Sequence, residues 1–149
     1  MRLKISKILT SPADRTWEFV KDPRNLLFVS RGMLGFCNAD RLPPRWQEGD
    51  SFRTRLLFFH LLPGWIHEIH IEHLDDRERE LCTNETGKLV PVWRHRIHVE
   101  AVSETQCRYT DEIEFQAGLL SPLVWLWAQI FYRYRLYRSK QLAKLPARA

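Results

Sequence analysis

Two side chains that can hold and pass a proton, His95 and Asp111, fall on the apolar faces of two consecutive predicted strands. In the run Val90–Val102 the odd positions are the apolar set, and His95 is one of them. In the run Gln106–Ala117 the odd positions are again the inward set, and Asp111 stands among them. Because side chains alternate between the two faces of a strand, we expect both groups to point into the interior.

The turn between these strands brings the two side chains within reach of each other. If Ala101 pairs with Thr105, His95 stands directly opposite Asp111, and if Ala101 pairs with Cys107, Asp111 is diagonal to His95. A neighbouring carboxylate fixes the tautomer of a histidine and raises its basicity. Such a pair serves as a buried structural contact, as a hydrogen-bond pair that orients a ligand, or as a general base with its orienting group. The sequence leaves these three alternatives open.

A further group of histidines and glutamates lies in the run Trp65–Leu74. His67 and His73 share one face of this predicted strand but lie about 20 Å apart at ~3.3 Å per residue, whereas His70 takes the opposite face with the two glutamates. A compact metal site would need further ligands from other strands. The sequence therefore predicts no metal site and no cofactor, and it leaves His67 as a polar group among inward apolar residues.

The spacing of apolar and turn residues predicts the elements that position these side chains. A first strand stops at Thr10, and two short helices follow, one after Ser11-Pro12 and one from Pro23 to about Ser30. From there to about Gly118 the period changes to two, which is typical of an antiparallel meander. The predicted strands of the meander are Met33–Leu42, Ser51–His60, Trp65–Leu74, Glu78–Thr86, Val90–Val102 and Gln106–Ala117. Strands of this length with one polar face must curl if one helix is to cover the other face.

The last predicted helix, from Pro122 to about Leu142, supplies that cover. Its predicted inward stripe is Leu123, Trp127, Ile130, Tyr134 and Tyr137. The first half is apolar nearly all round, but an apolar run of about 14 residues is too short for a membrane span, which needs about 20. Three alternatives stay open for its second apolar face: burial in the concave sheet, a homodimer seam, or shallow membrane contact through Trp125 and Trp127.

The bulk composition limits the class of protein. A chain of 149 residues with 44% hydrophobic content can bury a core without the support of disulfide bonds or metal ions, so we expect a single domain over residues 1–149. The net charge of +5 comes from six basic residues after Tyr132, while the preceding 132 residues carry 17 basic and 18 acidic side chains. This confined charge argues against a nucleic-acid partner. Three cysteines without Cys-x-x-Cys spacing, and an N-terminus without a continuous apolar segment, indicate a cytoplasmic protein.

The element order, together with four short motifs, resembles the START-like, helix-grip superfamily (SRPBCC), also called the polyketide cyclase/dehydrase and lipid transport group. The motifs are Trp46-Gln-Glu-Gly49-Asp50, Trp93-Arg-His95, Tyr109-Thr110-Asp111-Glu-Ile113 and Phe115-x-x-Gly118. The resemblance covers essentially the whole chain. It implies an α+β fold in which a curved antiparallel sheet of about seven strands wraps on a long C-terminal helix, with two short helices after the first strand and a deep cavity beneath the long helix.

The resemblance also implies a function for that cavity. We expect it to bind or transport a hydrophobic small molecule, either lipid-like or aromatic. The alternative is a cyclase/dehydratase-type enzyme with His95 as base, Asp111 as its orienter and Tyr109 stabilising an enolate, although a non-enzymatic binding protein is the favoured prediction. The predicted ligand contacts are Trp65, Ile69, Trp93, His95, Ile97, Tyr109, Asp111, Ile113, Trp127, Ile130, Phe131 and Tyr134.

Overall fold

A computed structural model describes residues 1–144 of the chain. It contains seven strands, three α-helices and two short 3-10 turns. The strands are β1 (Arg2–Leu9), β2 (Leu34–Phe36), β3 (Ser51–Phe58), β4 (Leu62–Asp75), β5 (Glu80–Gly87), β6 (Val92–Ala101) and β7 (Cys107–Gln116). The α-helices are α1 (Ala13–Lys21), α2 (Pro23–Ser30) and α3 (Ser121–Ala143). The predicted α+β helix-grip architecture is confirmed.

The seven strands form one antiparallel sheet in the order β1-β7-β6-β5-β4-β3-β2. The meander places consecutive strands side by side, and β1 then adds to the outer edge of β7, where Ile5 pairs with Asp111. The core lies on the concave face, between the sheet and α3. Burial alternates along β6 and β7 as the period of two predicts, so that one face of each strand packs inward and the other meets solvent.

The sequence predicts one long strand over Met33–Leu42, and this prediction is wrong. Only Leu34–Phe36 pairs with β3, and a 3-10 turn follows at Ala39–Arg41. At Asn38 the side-chain amide donates to the carbonyl oxygen of Arg53. A side chain that competes for backbone groups in this way favours turns. The two prolines that follow, Pro43 and Pro44, lack the N–H that a strand ladder requires.

The predicted inward stripe of α3 is also wrong in phase. Leu123, Ile130 and Tyr137 point outward and are more than half exposed. The inward residues are one position later in each turn, namely Val124, Ala128, Phe131, Tyr132, Arg135 and Leu136, with Trp127 half-buried beside them. One residue corresponds to about 100° of rotation around an α-helix. Since the first half of α3 is apolar nearly all round, periodicity alone could not fix its rotation.

Hydrogen bonds and a cation–π contact hold the second half of α3 against α2. The hydroxyl of Tyr134 donates to the carbonyl oxygen of Arg31, just after α2. One turn later the Arg138 guanidinium donates to the carbonyl oxygen of Phe28 at 3.2–3.3 Å and stacks on the Phe28 ring at 4.1 Å. These contacts help to hold the helix over the concave sheet, because they satisfy backbone carbonyl groups at the end of α2.

Candidate functional site

A cavity of ≈ 170 Å³ lies between the concave face of the sheet and α3. A cavity of about 150 Å³ lined by aliphatic and aromatic residues accommodates benzene, so this space suits a small molecule built around an aromatic ring or a short alkyl chain. Most of its wall is apolar. Its polar lining residues include His67, Thr83, Glu85, His95, Tyr109 and Arg135.

Aromatic rings form a continuous column along one wall. Phe115 stacks on Trp93 with ring centroids 5.3 Å apart, and Trp93 stacks on Tyr132 at 6.2 Å. Farther along α3, Phe131 stacks on Trp127 at 4.6 Å. Tyr132 also meets the His95 ring edge to face at 5.2 Å. Because each ring is held by its neighbours, the column gives the cavity a preformed aromatic surface.

His95 and Asp111 form a buried hydrogen-bonded pair. The structure adopts the second of the two predicted registers, with Ala101 opposite Cys107, so the two side chains are diagonal neighbours. His95 Nε2 lies 2.6 Å from Asp111 Oδ1, and Asp111 has no exposed surface. With Nε2–H donating to the carboxylate, the lone pair of the imidazole is on Nδ1.

Tyr109 lies on the same strand as Asp111 and is hydrogen-bonded to this pair. Its hydroxyl donates to Asp111 Oδ1 at 3.5 Å. Burial raises the pKa of Tyr109 well above its usual value, and the negative charge of Asp111 adds to the effect. The phenol therefore stays protonated across the physiological range and can act as a hydrogen-bond donor.

A second histidine–carboxylate pair, His67 with Glu85, faces the same cavity. His67 Nε2 lies 2.8 Å from Glu85 Oε2, and the Thr83 hydroxyl donates to Glu85 Oε1 at 2.6 Å. Burial opposes ionisation of Glu85, but the hydrogen bond from His67 and the field of both histidines outweigh it, so the pKa of Glu85 is lowered. Sequence reasoning missed Glu85, although it shares the inward parity of Leu81 and Thr83 on β5.

Arg135 places a positive charge in the wall of the cavity. It is 8% exposed and lies over the rings of Tyr132 at 5.0 Å and Phe131 at 5.8 Å. Within residues 1–144 it forms no ion pair, and its Nε has no hydrogen-bond partner. Burial disfavours the charge, yet the fields of Asp111 and other buried groups raise the pKa of Arg135 above its usual value. Arg135 is thus a permanently charged donor with unused hydrogen-bonding capacity.

Other polar atoms of the cavity lining also lack partners within the described part of the chain, among them Trp65 Nε1 and His67 Nδ1. Both rings pack over Gly87, where an added Cβ would collide with Trp65 Nε1 and lie 3.1 Å from His67 Nδ1. Only glycine fits here, because any side chain would displace one of the two rings. With Nε2–H of His67 donating to Glu85, a donor and an acceptor stand side by side over this glycine.

A protein family described as a domain of unknown function, DUF8410, matches residues 38–144. The chain belongs to the DUF8410 family. The matched region includes β3 to β7 and α3, and therefore every polar residue of the cavity described above. No curated protein matches the DUF8410 chain in sequence.

Solved structures resemble the DUF8410 protein over nearly its whole length. Protein CV1439 from Chromobacterium violaceum aligns with a TM-score of 0.76 at 12% identity, covering 97% of this chain and 98% of its own. Truncated norcoclaurine synthase from Thalictrum flavum aligns with a TM-score of 0.71 at 13% identity, covering 99% and 95%. Protein Ms6760 from Mycobacterium smegmatis aligns with a TM-score of 0.74 at 12% identity, covering 99% and 93%. At this identity the likeness concerns the fold alone, and it agrees with the predicted helix-grip arrangement of a curved antiparallel sheet and a long C-terminal helix.

The DUF8410 structure brings most of the predicted ligand contacts to one cavity. Eight of them line it, namely Trp65, Ile69, Trp93, His95, Ile97, Tyr109, Trp127 and Phe131. Asp111 lies behind His95 and Ile113 lies in the core. Ile130 points outward and is 55% exposed, and Tyr134 is engaged by the carbonyl of Arg31. These last two differ from the prediction because α3 is rotated by one residue. Whether the lining residues bind a ligand stays a prediction.

Proposed function

We propose that the DUF8410 protein binds a small, mainly apolar molecule that directs an oxygen atom toward Arg135. The observation that carries this proposal is the buried guanidinium, whose Nε lacks a partner within residues 1–144 while the side chain lines a mainly apolar cavity. A buried donor without a partner costs stability unless something else accepts from it. A carbonyl, phenol or carboxylate oxygen of a bound molecule would satisfy it.

The aromatic column supports an aromatic or flat ligand. Trp93, Trp127 and Phe131 line the space, and offset or edge-on contacts with aromatic side chains favour another ring. A neighbour in fold, norcoclaurine synthase from Thalictrum flavum, has been solved with dopamine and hydroxybenzaldehyde, both of which combine a ring with oxygen substituents. The cavity of the DUF8410 protein matches each part of such a molecule, because it has a ring-sized apolar space and polar groups in its wall.

The test is a titration of matched ligands against the Arg135→Met variant. Naphthalene, 2-naphthol and 2-naphthoate share a ring system and differ in the oxygen group, and binding is measured by calorimetry and by the fluorescence of the cavity tryptophans. A hydrogen bond to a charged group contributes about 1.5–3 kcal/mol. We therefore expect Arg135→Met to weaken 2-naphthol and 2-naphthoate binding about tenfold to a hundredfold and to leave naphthalene nearly unchanged.

The control variant is Arg133→Met, also on α3 but exposed and hydrogen-bonded to Gln129 instead of lining the cavity. It should bind all three compounds as the wild type does. Equal losses for naphthalene and 2-naphthoate in Arg135→Met would contradict the anchor, and no binding of any of the three to the wild type would contradict the ligand class.

A second candidate function is proton abstraction next to a carbonyl, the first step of cyclase/dehydratase chemistry. Two histidine–carboxylate pairs on one apolar cavity favour it. The lone pair on His95 Nδ1 would take the proton, Asp111 would hold the imidazole, and the hydroxyl of Tyr109 would turn from Asp111 to donate to the enolate oxygen. The ring of His95 already touches the aromatic column at Tyr132.

This second function predicts exchange of the methyl protons of acetophenone in D₂O, followed by NMR. A positioned base accelerates proton transfer by about 10²–10⁴-fold, so the His95→Gln variant should lose at least about tenfold of the exchange rate above buffer. Glutamine keeps a donor toward Asp111, which preserves the fold. Identical rates for wild type, His95→Gln and buffer would rule the activity out.

The cysteines bear on where such a protein works. Cys37 is exposed, Cys82 is half-buried and Cys107 is buried, and all three are free thiols. Free thiols persist in a reducing compartment, which supports a cytoplasmic location as part of this proposal.

A further inference from the structure

One end of the sheet carries an unusual amount of exposed apolar surface. The strands alternate in direction, so the β3–β4 turn, the β5–β6 turn and the segment between β7 and α3 all lie at this end, which we call the apolar end. Leu61 is 78% exposed, Leu119 is fully exposed and Leu123 is 66% exposed. The other large apolar side chains exposed here are Phe59, Leu62, Ile66, Leu89, Leu120, Trp125 and Leu126. A concentration of exposed apolar side chains at one end of a domain marks an interaction site.

The tip of the β3–β4 turn combines an unfavourable backbone conformation with an exposed aromatic ring. Phe59 and His60 both adopt left-handed backbone conformations, with φ of 54° and 58°. Asn and Gly are the usual residues at such positions in a tight hairpin. Phe59 instead holds an aromatic ring in water, 59% exposed. The exposed ring is therefore in an unfavourable state that burial against an apolar partner would relieve.

The turns that form the apolar end carry only positive charge. A shallow groove at this end is lined by Arg55 and Lys88 together with apolar residues and Gly64. Neither cation forms an ion pair in the part of the chain that the structure describes. Residues 59–64, 87–91 and 117–132 contain no acidic residue. Anything that binds here must therefore match apolar surface with negative charge.

The outward stripe of α3 extends the same pattern along the molecule. It begins with Leu123, Leu126 and Ile130 and continues with Arg133, Tyr137 and Lys140, all exposed. No acidic residue occurs in α3. Apolar residues followed by basic residues on one helix face are typical of helices that lie at the surface of an anionic bilayer.

We propose that the apolar end and the outward stripe of α3 dock on an anionic phospholipid bilayer. Leucines of the turns and of the start of α3 would enter the boundary between headgroups and acyl chains, while Arg55, Lys88 and the basic residues of α3 meet lipid phosphates. A second copy of the chain fits less well, because a two-fold interface would bring these cations against their own copies without a carboxylate between them. Within residues 1–144 no helix is long and apolar enough to cross a membrane, so the contact is peripheral.

The docking surface adjoins the cavity. Half-buried lining residues at the same end, Phe58, Trp65, Val124 and Trp127, connect the interior to the apolar end. A bilayer seated there would let an apolar molecule pass between membrane and cavity without crossing water. Membrane binding itself does not depend on Arg135 or on any ligand, so its test and the naphthoate titration fail independently.

The test is flotation of the full chain with vesicles of phosphatidylcholine alone and of phosphatidylcholine with phosphatidylglycerol. We expect the wild type to bind the anionic vesicles at least about tenfold more strongly, and less so as salt rises. The Leu119→Ser/Leu123→Ser variant should lose about tenfold or more of this binding. The Arg55→Glu/Lys88→Glu variant should lose a similar factor on anionic vesicles only.

The matched controls lie at the opposite end of the sheet. Val102→Ser removes an exposed apolar side chain in the β6–β7 turn, and Lys7→Glu reverses an exposed charge on β1. Both should bind as the wild type does, and unfolding curves check that all variants fold. Absence of binding by the wild type, equal binding to both vesicles, or wild-type binding by the Leu119→Ser/Leu123→Ser variant would each overturn the proposal. So would a concentration-dependent dimer that this variant abolishes, since the surface would then be an interface between copies.

Discussion

The His95→Ala variant should lose about 3–5 kcal/mol of its free energy of unfolding in urea denaturation. Removing the imidazole leaves the buried carboxylate of Asp111 without its short hydrogen bond, and a buried charge left without its partner usually costs this much. Asp111 has no exposed surface, and its Oδ2 has no partner within the described residues. With the imidazole gone, the carboxylate keeps only the longer hydrogen bond from Tyr109.

A double-mutant cycle separates this pair from its surroundings. The His95→Ala/Asp111→Ala variant should be more stable than the sum of the two single losses predicts, with a coupling energy of about 1–3 kcal/mol. The matched control on β6 is Arg96→Ala, which breaks contacts with Glu80 at 2.5 Å and Glu112 at 3.1 Å on the outer face. Because this arginine is half-exposed, its loss should cost about 1 kcal/mol or less. Equal losses for His95→Ala and Arg96→Ala would show that burial does not govern the pair.

The Phe115→Ala variant should lose about 3–5 kcal/mol of unfolding free energy, the range for removing a fully buried aromatic ring. Phe115 has no exposed surface and supports Trp93, which in turn supports Tyr132 on α3. Its removal leaves a void behind the column, so the fluorescence of Trp93 should change along with the stability. Its carbonyl oxygen also accepts a hydrogen bond of 2.8 Å from the N-terminal ammonium of Met1, and this backbone contact does not depend on the side chain.

Phe59→Ala is the matched control, because it removes the same side chain from an exposed turn. Alanine meets the same backbone conformation, and substitutions at exposed sites usually change stability by about 0.5 kcal/mol or less. A loss of stability in Phe59→Ala as large as that in Phe115→Ala would mean that the β3–β4 turn, and not the aromatic column, carries the stability of this wall.

The sheet was the most predictable part of the molecule. In β6 and β7 each inward residue is apolar or belongs to the His95–Asp111 pair, so the period of two was clear and even the two candidate registers could be written down. The prediction of a strand over Met33–Leu42 was wrong because the apolar residues alternate as they do in a strand, whereas Asn38 and the two prolines determine the backbone conformation. Side-chain hydrogen bonds of that kind leave no periodic signal.

The sequence could predict only those site residues that lie on strands, because their orientation follows from the alternation of side chains along a strand. His95, Asp111 and Tyr109 follow from alternation, and Glu85 would have followed from the same argument applied to β5. Arg135 could not be found, because a basic residue in a basic helix gives no sign of facing inward. Its orientation depends on the rotation of α3, which is set by how Ala128 and Phe131 pack beneath the sheet.

The pairing of β1 with β7 has a consequence for how the chain comes to fold. Leu9 stands beside Cys107 and Arg2 beside Glu114, so β1 has no partner strand until about a hundred further residues of the chain have been synthesised. Contacts this distant in sequence slow folding, because a long loop must close before they form. We expect β1 to remain an unpaired edge during synthesis and the sheet to close only once β7 has left the ribosome.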